Sequence, residues 1–224
     1  KSYLSLMWLL TKEIQPGERR WIVGPTYRSL KSTTWPILRA IMRQHEGAVI
    51  NESDLSIKLP NDSEIALKGS EQENNLRGAG LDMVVMEEFS YIKPHVYEEI
   101  IYPMLTTTQG EALFIGTPNS FDHLYDYYLR GQSDPDWKSW KFKTIEGGFV
   151  EEDEIKRIKS NMDGRLYRQE MESSFETTGN RAAYNFDRDI HVKKADELAQ
   201  NRWIGMDMNV DYMTAVIACE YTDG

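Results

Sequence analysis

Two adjacent carboxylates, Glu87 and Glu88, follow the apolar run Met83–Met86 in the stretch "LDMVVMEEFSYI". Four consecutive apolar residues read as a short buried strand. Two like charges at its end need either a solvated edge or a task that uses them. Phosphoryl transfer from a nucleotide is such a task. One acid holds a magnesium ion or its water shell, and the other orients and polarises the attacking water. Neighbouring strand positions point to opposite sides, which suits two different jobs. A plain strand that ends in acids at a solvent edge is the competing reading, and the pair alone does not decide.

Three other groups could serve the same chemistry. Lys1-Ser2 opens a helix-like segment and matches the last two positions of a G-x-x-x-x-G-K-[ST] phosphate loop, where Lys reaches the β/γ-phosphates and the hydroxyl holds magnesium. The loop's glycines would precede the first residue, and an arbitrary chain start reads the same way. In "LFIGTPN", an apolar strand runs into Gly116, Thr117, Pro118 and Asn119. Small polar groups there could sense a γ-phosphate or its water, or could form only a turn. Arg77 stands eleven residues before Glu88 in "ENNLRGAG". Its guanidinium could reach transferring phosphates in its own subunit or across a ring interface, or could be a surface loop arginine.

These groups need a frame. Residues 1–14 read as a helix that is apolar on most faces and therefore buried. "RRWIVGPT" is a strand stopped by Gly24-Pro25, and "YRSLKSTTWPILRAIMRQ" is a helix with a kink or restart at Pro36. "LSIKLPNDSEIALKG" alternates around Pro60-Asn61-Asp62 and reads as a hairpin. The Glu87 strand follows, then the helix "VYEEIIYPMLTT", the strand "EALFIGTPN" and the helix "FDHLYDYYLRG". "WKSWKFKTIE" is predicted as a further strand, and "EEDEIKRIKSNM" and "DGRLYRQEMESSF" as amphipathic helices. Strands alternating with helices predict an α/β parallel sheet with one inserted hairpin. Composition shifts near Thr177–Asn180, and "NRWIGMDMNVDYMTAVIACEY" then reads as a strand, a polar turn and a strand. A domain boundary is expected near residue 180.

The 224 residues are 40% hydrophobic and carry a net charge of -10, which argues for a folded core and against static coating of nucleic acid. Local basic patches remain candidates for gripping DNA: Arg19, Arg20, Arg28 and Lys31, then Lys138, Lys141 and Lys143. Each could equally be a solvated edge. The single cysteine, Cys219, cannot form an internal disulfide, and the four scattered histidines show no zinc spacing. No apolar run is long enough to span a bilayer, and no signal peptide is visible.

Taken in order, these pieces resemble the large terminase subunit of tailed bacteriophages. The matching segments are Lys1-Ser2 as the tail of a Walker A loop, "GPTYRS", the "SIKLPNDSEIAL" hairpin, "NLRGAGLDMVVMEE" as Walker B, "LFIGTPN" as the coupling motif, "YRQEMESSF" before a linker, and "WIGMDMNVDYMTAVIA". The resemblance implies a P-loop ASCE-type ATPase sheet with flanking helices and an inserted hairpin over residues 1–178, without its N-terminal strand and most of Walker A. Residues 179–224 would hold a linker and the first hairpin of an RNase H-like nuclease. It implies a motor that translocates double-stranded viral DNA into procapsids, using ATP and Mg2+, with a C-terminal nuclease that uses Mg2+ or Mn2+. Portal protein, the small terminase subunit and a homo-oligomeric ring are the implied partners, in the host cytoplasm and not in the virion, with no membrane.

Carried over by residue, the resemblance makes Glu87 the magnesium-side acid and Glu88 the water-orienting one. Lys1 and Ser2 would bind phosphate and magnesium, Thr117 and Asn119 would couple hydrolysis to motion, and Arg77 would be an arginine finger. Asp207 would be the first nuclease metal ligand. Position 87 is Glu where Asp is commoner, which predicts looser or water-mediated metal contact. One acid cannot build a two-metal nuclease site, and Asp211 reads as a turn residue. The chain as written is therefore expected to lack nuclease activity and to be a poor ATPase. A helicase-like ATPase and a non-catalytic docking protein are the alternatives.

Overall fold

The computed structural model describes residues 1–78 and 80–176, together with the backbone of residues 201–208 and 213–220. The chain divides into two compact units, Lys1–Gly179 and Asn180–Gly224. In chain order the first unit contains α1 (Ser2–Thr11), β1 (Arg19–Gly24), α2 (Tyr27–Met42), β2 (Val49–Asn51), β3 (Ser56–Lys58) and β4 (Glu64–Gly69). It continues with β5 (Met83–Glu87), α3 (Tyr102–Thr108), β6 (Glu111–Ile115), α4 (His123–Ser133), α5 (Glu152–Asn161) and α6 (Gly164–Glu172).

The six strands form one sheet in the order β2-β3-β4-β1-β5-β6. β4, β1, β5 and β6 are parallel, and β2-β3-β4 is an antiparallel edge. Strands covered on both faces must be apolar at every position. Trp21–Val23 of β1 and Met83–Met86 of β5 meet that demand with clear alternation, while the buried Arg20 and Glu87 depart from it and need polar partners. Trp21, Val23, Val84 and Met86 face one layer, while Ile22 and Val85 face the other. The first layer is Leu76, Leu81, Phe89 and residues 96–105. The second is α1 and α2, through Leu6, Leu9, Leu30, Trp35, Leu38 and Met42.

Arg20 fixes α1 against the sheet. It is 1% exposed, so its charge needs partners. Nη2 donates to Glu18 Oε2 at 2.6 Å and to the Glu13 carbonyl at 2.7 Å. Nη1 donates to the carbonyls of Leu9 and Lys12. A guanidinium on β1 thus satisfies carbonyls that the end of α1 would leave orphaned. Arg20 is therefore a buried cap and leaves the predicted basic patch. Arg19, Arg28 and Lys31 are exposed.

Several expectations change. Residues 138–143 form no strand. Ser139 fastens this segment to α4 instead, its hydroxyl donating to the Tyr128 carbonyl at 2.8 Å. Gly131 makes the approach possible, because a Cβ there would lie 2.7 Å from Ser139 N. Trp140 and Phe142 are each 64% exposed, so the alternation of Lys and aromatics builds no buried face. α1 is shorter than expected and only half covered, with Tyr3 and Leu4 outward. α2 runs uninterrupted through Pro36, which is exposed. The helix from Val96 opens with a π-helical stretch to Ile101 before α3. The hairpin gains a third strand, β2, and its second arm, β4, pairs in parallel with β1.

In the second unit β7 (Asn201–Met208) and β8 (Met213–Glu220) form an antiparallel hairpin, with Asp207 opposite Thr214. The expected boundary near residue 180 and the turn residue Asp211 lie outside the described residues.

Candidate active site

β5 delivers its two acids to the carboxyl edge of the parallel strands. Glu87 shares the parity of Val85, so it faces α1 and α2. It is 4% exposed, and a buried carboxylate needs hydrogen-bond donors on both oxygens. Both are supplied. The Ser2 hydroxyl, from the first turn of α1, donates to Oε1. The Thr34 hydroxyl, from the middle of α2, donates to Oε2 at 2.6 Å.

The strand ends at Glu87, and the next residue, Glu88, turns left-handed at φ 52°, ψ 50°. That conformation costs a non-glycine residue about 1–3 kcal/mol and is held by its surroundings. Tyr91 N donates to the Glu88 carbonyl at 2.9 Å, closing the turn. The Glu88 side chain meets partners other than those of Glu87. Lys1 Nζ meets Glu88 Oε1 at 2.7 Å and Thr117 Oγ1 at 2.6 Å.

Thr117 arrives by register. Glu87 pairs with Ile115 across the β5–β6 ladder, so the two strands end side by side and the chain after β6 passes the acids. Gly116 packs closely there, since a Cβ would lie 3.4 Å from Phe89 N. His123 Nε2 is 2.8 Å from the Phe89 carbonyl, and Ser90 Oγ donates to the Thr117 carbonyl at 3.4 Å. These contacts fasten the loop after β6 to the turn after β5.

Five of the residues singled out in the sequence thus converge: Lys1, Ser2, Glu87, Glu88 and Thr117. Asn119 lies half-buried on the same loop, with no hydrogen bond to the cluster among the described residues. Arg77 is exposed after the turn Glu73–Leu76, and no described contact brings it to the acids. Asp207 belongs to the second unit. Thr34 was missed, yet it carries a signal. Leu30, Thr34, Leu38 and Met42 form one stripe at four-residue spacing, and a hydroxyl in an apolar stripe marks a polar target below it.

The cluster suits a triphosphate. The Lys1–Glu88 pair is about half exposed, so it is weak and exchangeable for another anion. Among the described residues no group of three or more His, Cys, Asp or Glu could cage a metal. Magnesium at nucleotide sites does not need one: a hydroxyl, one carboxylate, water and phosphates suffice, and Ser2 beside Glu87 is that donor set. A separate cavity of about 620 Å³, lined by Lys12, Ile14, His45 and Asn61 among others, sits beside the amino ends of the strands, away from the acids.

Comparison with known proteins agrees with this geometry. The chain is 28% identical over 136 residues to the large terminase subunit of Thermus phage G20c, covering 52% of this chain and 28% of that protein. It is 23% identical to that of Escherichia phage T5, covering 99% of this chain and 53% of that protein. Among solved structures, the ATPase domain of the Thermus phage P74-26 large terminase superposes with a TM-score of 0.66 at 22% identity, covering 78% of this chain and 82% of that one. The fold is that of a large-terminase ATPase domain. The large terminase of another thermophilic bacteriophage, solved with ADP, superposes with a TM-score of 0.63 at 14% identity over 98% of this chain and 56% of that one. The chain spans about half the length, or less, of the curated large terminase subunits it matches. No protein-family profile matches it.

Proposed function

We propose that the Lys1–Gly179 unit is the nucleotide-hydrolysing part of a viral DNA-packaging motor. One observation carries this: the Lys1 ammonium bridges Glu88 and Thr117 while Ser2 engages Glu87, so phosphate-type and metal-type groups meet at one sheet edge. ATP is the substrate. The complexes of the thermophilic bacteriophage terminase with ADP and with ATP-gamma-S support that choice.

Each residue then has a role. Lys1 exchanges its carboxylate partner for the β/γ-phosphates, which releases Glu88. Glu88, now unpaired, orients a water and accepts its proton. Ser2 and Glu87 would hold Mg2+, which would neutralise phosphate charge when bound. Thr117 loses its Lys1 contact in the same exchange, so the loop Gly116–Asn119 reads the state of the site and passes it to α4. Arg77, exposed on its loop, acts across a subunit interface in a homo-oligomeric ring. Double-stranded DNA, the portal protein and the small terminase subunit are the partners, in the host cytoplasm. The β7–β8 hairpin begins a nuclease, with Asp207 as a ligand for Mg2+ or Mn2+. No helix among the described residues is long and apolar enough to cross a membrane.

The test is an ATP-dependent thermal shift of the full-length protein. Ligand at about 100-fold above Kd contributes about 2.7 kcal/mol, which raises Tm by several degrees. The same titration on Lys1→Ala should give a much smaller rise. No rise in the unaltered protein would favour the docking-protein reading instead.

A further inference from the structure

We infer that Thr34 is a positioning residue for the metal-side carboxylate. The inference rests on the nucleotide reading of the site and extends it to a residue outside the acids and loops that carry that reading. Thr34 is fully buried on α2, between Leu30 and Leu38 of the apolar stripe. A valine of the same shape would suit that stripe better, so the hydroxyl needs a reason. Its one strong partner is Glu87 Oε2 at 2.6 Å. A neighbouring hydroxyl, Thr33 Oγ1, is 3.3 Å away and itself donates to the Ser29 carbonyl at 2.9 Å. A carboxylate only accepts, so the Thr34 proton points to Glu87.

The two oxygens of Glu87 therefore have different fates. Oε1 is held by Ser2, whose hydroxyl is the group that turns to the metal in the nucleotide reading. Oε2 is held by Thr34, which lies within the core and has no other task. When Ser2 turns away, Thr34 alone keeps Oε2 fixed and so leaves Oε1 facing the nucleotide side. A glutamate has one more rotatable bond than an aspartate, and so more ways to miss a metal. The buried hydroxyl removes that freedom. A group behind a ligand that fixes its orientation typically changes metal affinity or activity about 10–100-fold when lost.

The experiment uses the full-length protein as Thr34→Val, Thr34→Ser and Glu88→Gln. For Thr34→Val, the Mg2+ concentration for half-maximal ATP hydrolysis should rise about 10–100-fold. Metal-free ATP affinity should stay within about 3-fold, because Thr34 touches no phosphate-binding group. Thr34→Ser should stay within about 3-fold in both measurements, as it keeps the donor. A metal-free crystal structure should show Glu87 in a new rotamer in Thr34→Val and in its original one in Thr34→Ser. An unchanged Mg2+ requirement in Thr34→Val overturns the inference. So does an equal shift in Thr34→Ser, which would mean that the methyl packing matters and not the hydroxyl. If Thr34→Val does not fold, Thr34→Ala, which leaves room for water, carries the same comparison. Glu88→Gln separates the two levels. If it hydrolyses ATP normally, the nucleotide reading falls and this inference with it; if it is inactive while Thr34→Val is unshifted, only the role of Thr34 falls.

Discussion

Two parts of the same unit are built in opposite ways. Every residue of β5 from Met83 to Glu87 is buried, whereas α4 buries none completely, α5 only Ile155 and α6 only Tyr167. The acids stand on the first part. The second is joined to the sheet mainly by rings: Phe114 stacks on Trp137 with centroids 5.7 Å apart, and Arg130 lies 4.2 Å above Trp137. Trp140, Phe142 and Phe149 remain outward, the last at 98% exposure. Atoms are held most firmly where packing is dense, and local opening costs less where it is sparse. The loop Gly116–Asn119 runs from one to the other.

This contrast predicts unequal costs for deleting one cation–carbonyl or ring anchor. Arg20→Ala should destabilise the Lys1–Gly179 unit by about 3–5 kcal/mol in urea titrations, because Glu18 and the end of α1 lose their buried partner. Trp137→Ala should cost about 1–3 kcal/mol, as a half-buried ring with one stack and one cation above it. Equal costs would erase the distinction between the two parts.

A smaller effect sharpens it through pH. Burial, and then the charge of Glu98, push the Tyr127 phenol from 10.0 up to about 12. The folded state thus favours the neutral phenol. The stability from this group is complete below pH 10 and is lost as pH rises through about 12. The loss should be about 1–2 kcal/mol, since the ring is only partly screened from water. Tyr127→Phe should remove that alkaline component, as read by denaturation at several pH values between 9 and 12. An unchanged alkaline slope would show that the ring cluster is wetter than its packing indicates.

The sheet was readable from the sequence because its signals are local and periodic. Met83–Met86 had to be buried, Gly24-Pro25 had to end β1, and the Pro60–Asp62 turn had to join two arms. The convergence of Lys1, Ser2, Glu87, Glu88 and Thr117 was also within reach, since strand ends in a parallel sheet share one edge. Residues 138–143 misled because Lys-aromatic alternation imitates a half-buried strand. Whether such a strand finds a partner depends on Gly131 and Ser139, which no local pattern announces. Arg20 misled for a related reason: a basic residue beside Arg19 reads as surface until the carbonyls at the end of α1 are known to need it. Thr34 lay in plain view as the one hydroxyl of an apolar stripe, but its acceptor is 53 residues away.

The central claim is that Glu88 orients the attacking water at a site where Lys1 binds phosphate. ATP turnover and ATP affinity of the full-length Glu88→Gln protein test it most directly. Turnover should fall about 10²–10⁴-fold, with nucleotide affinity retained. Hydrolysis at the unaltered rate would contradict the account.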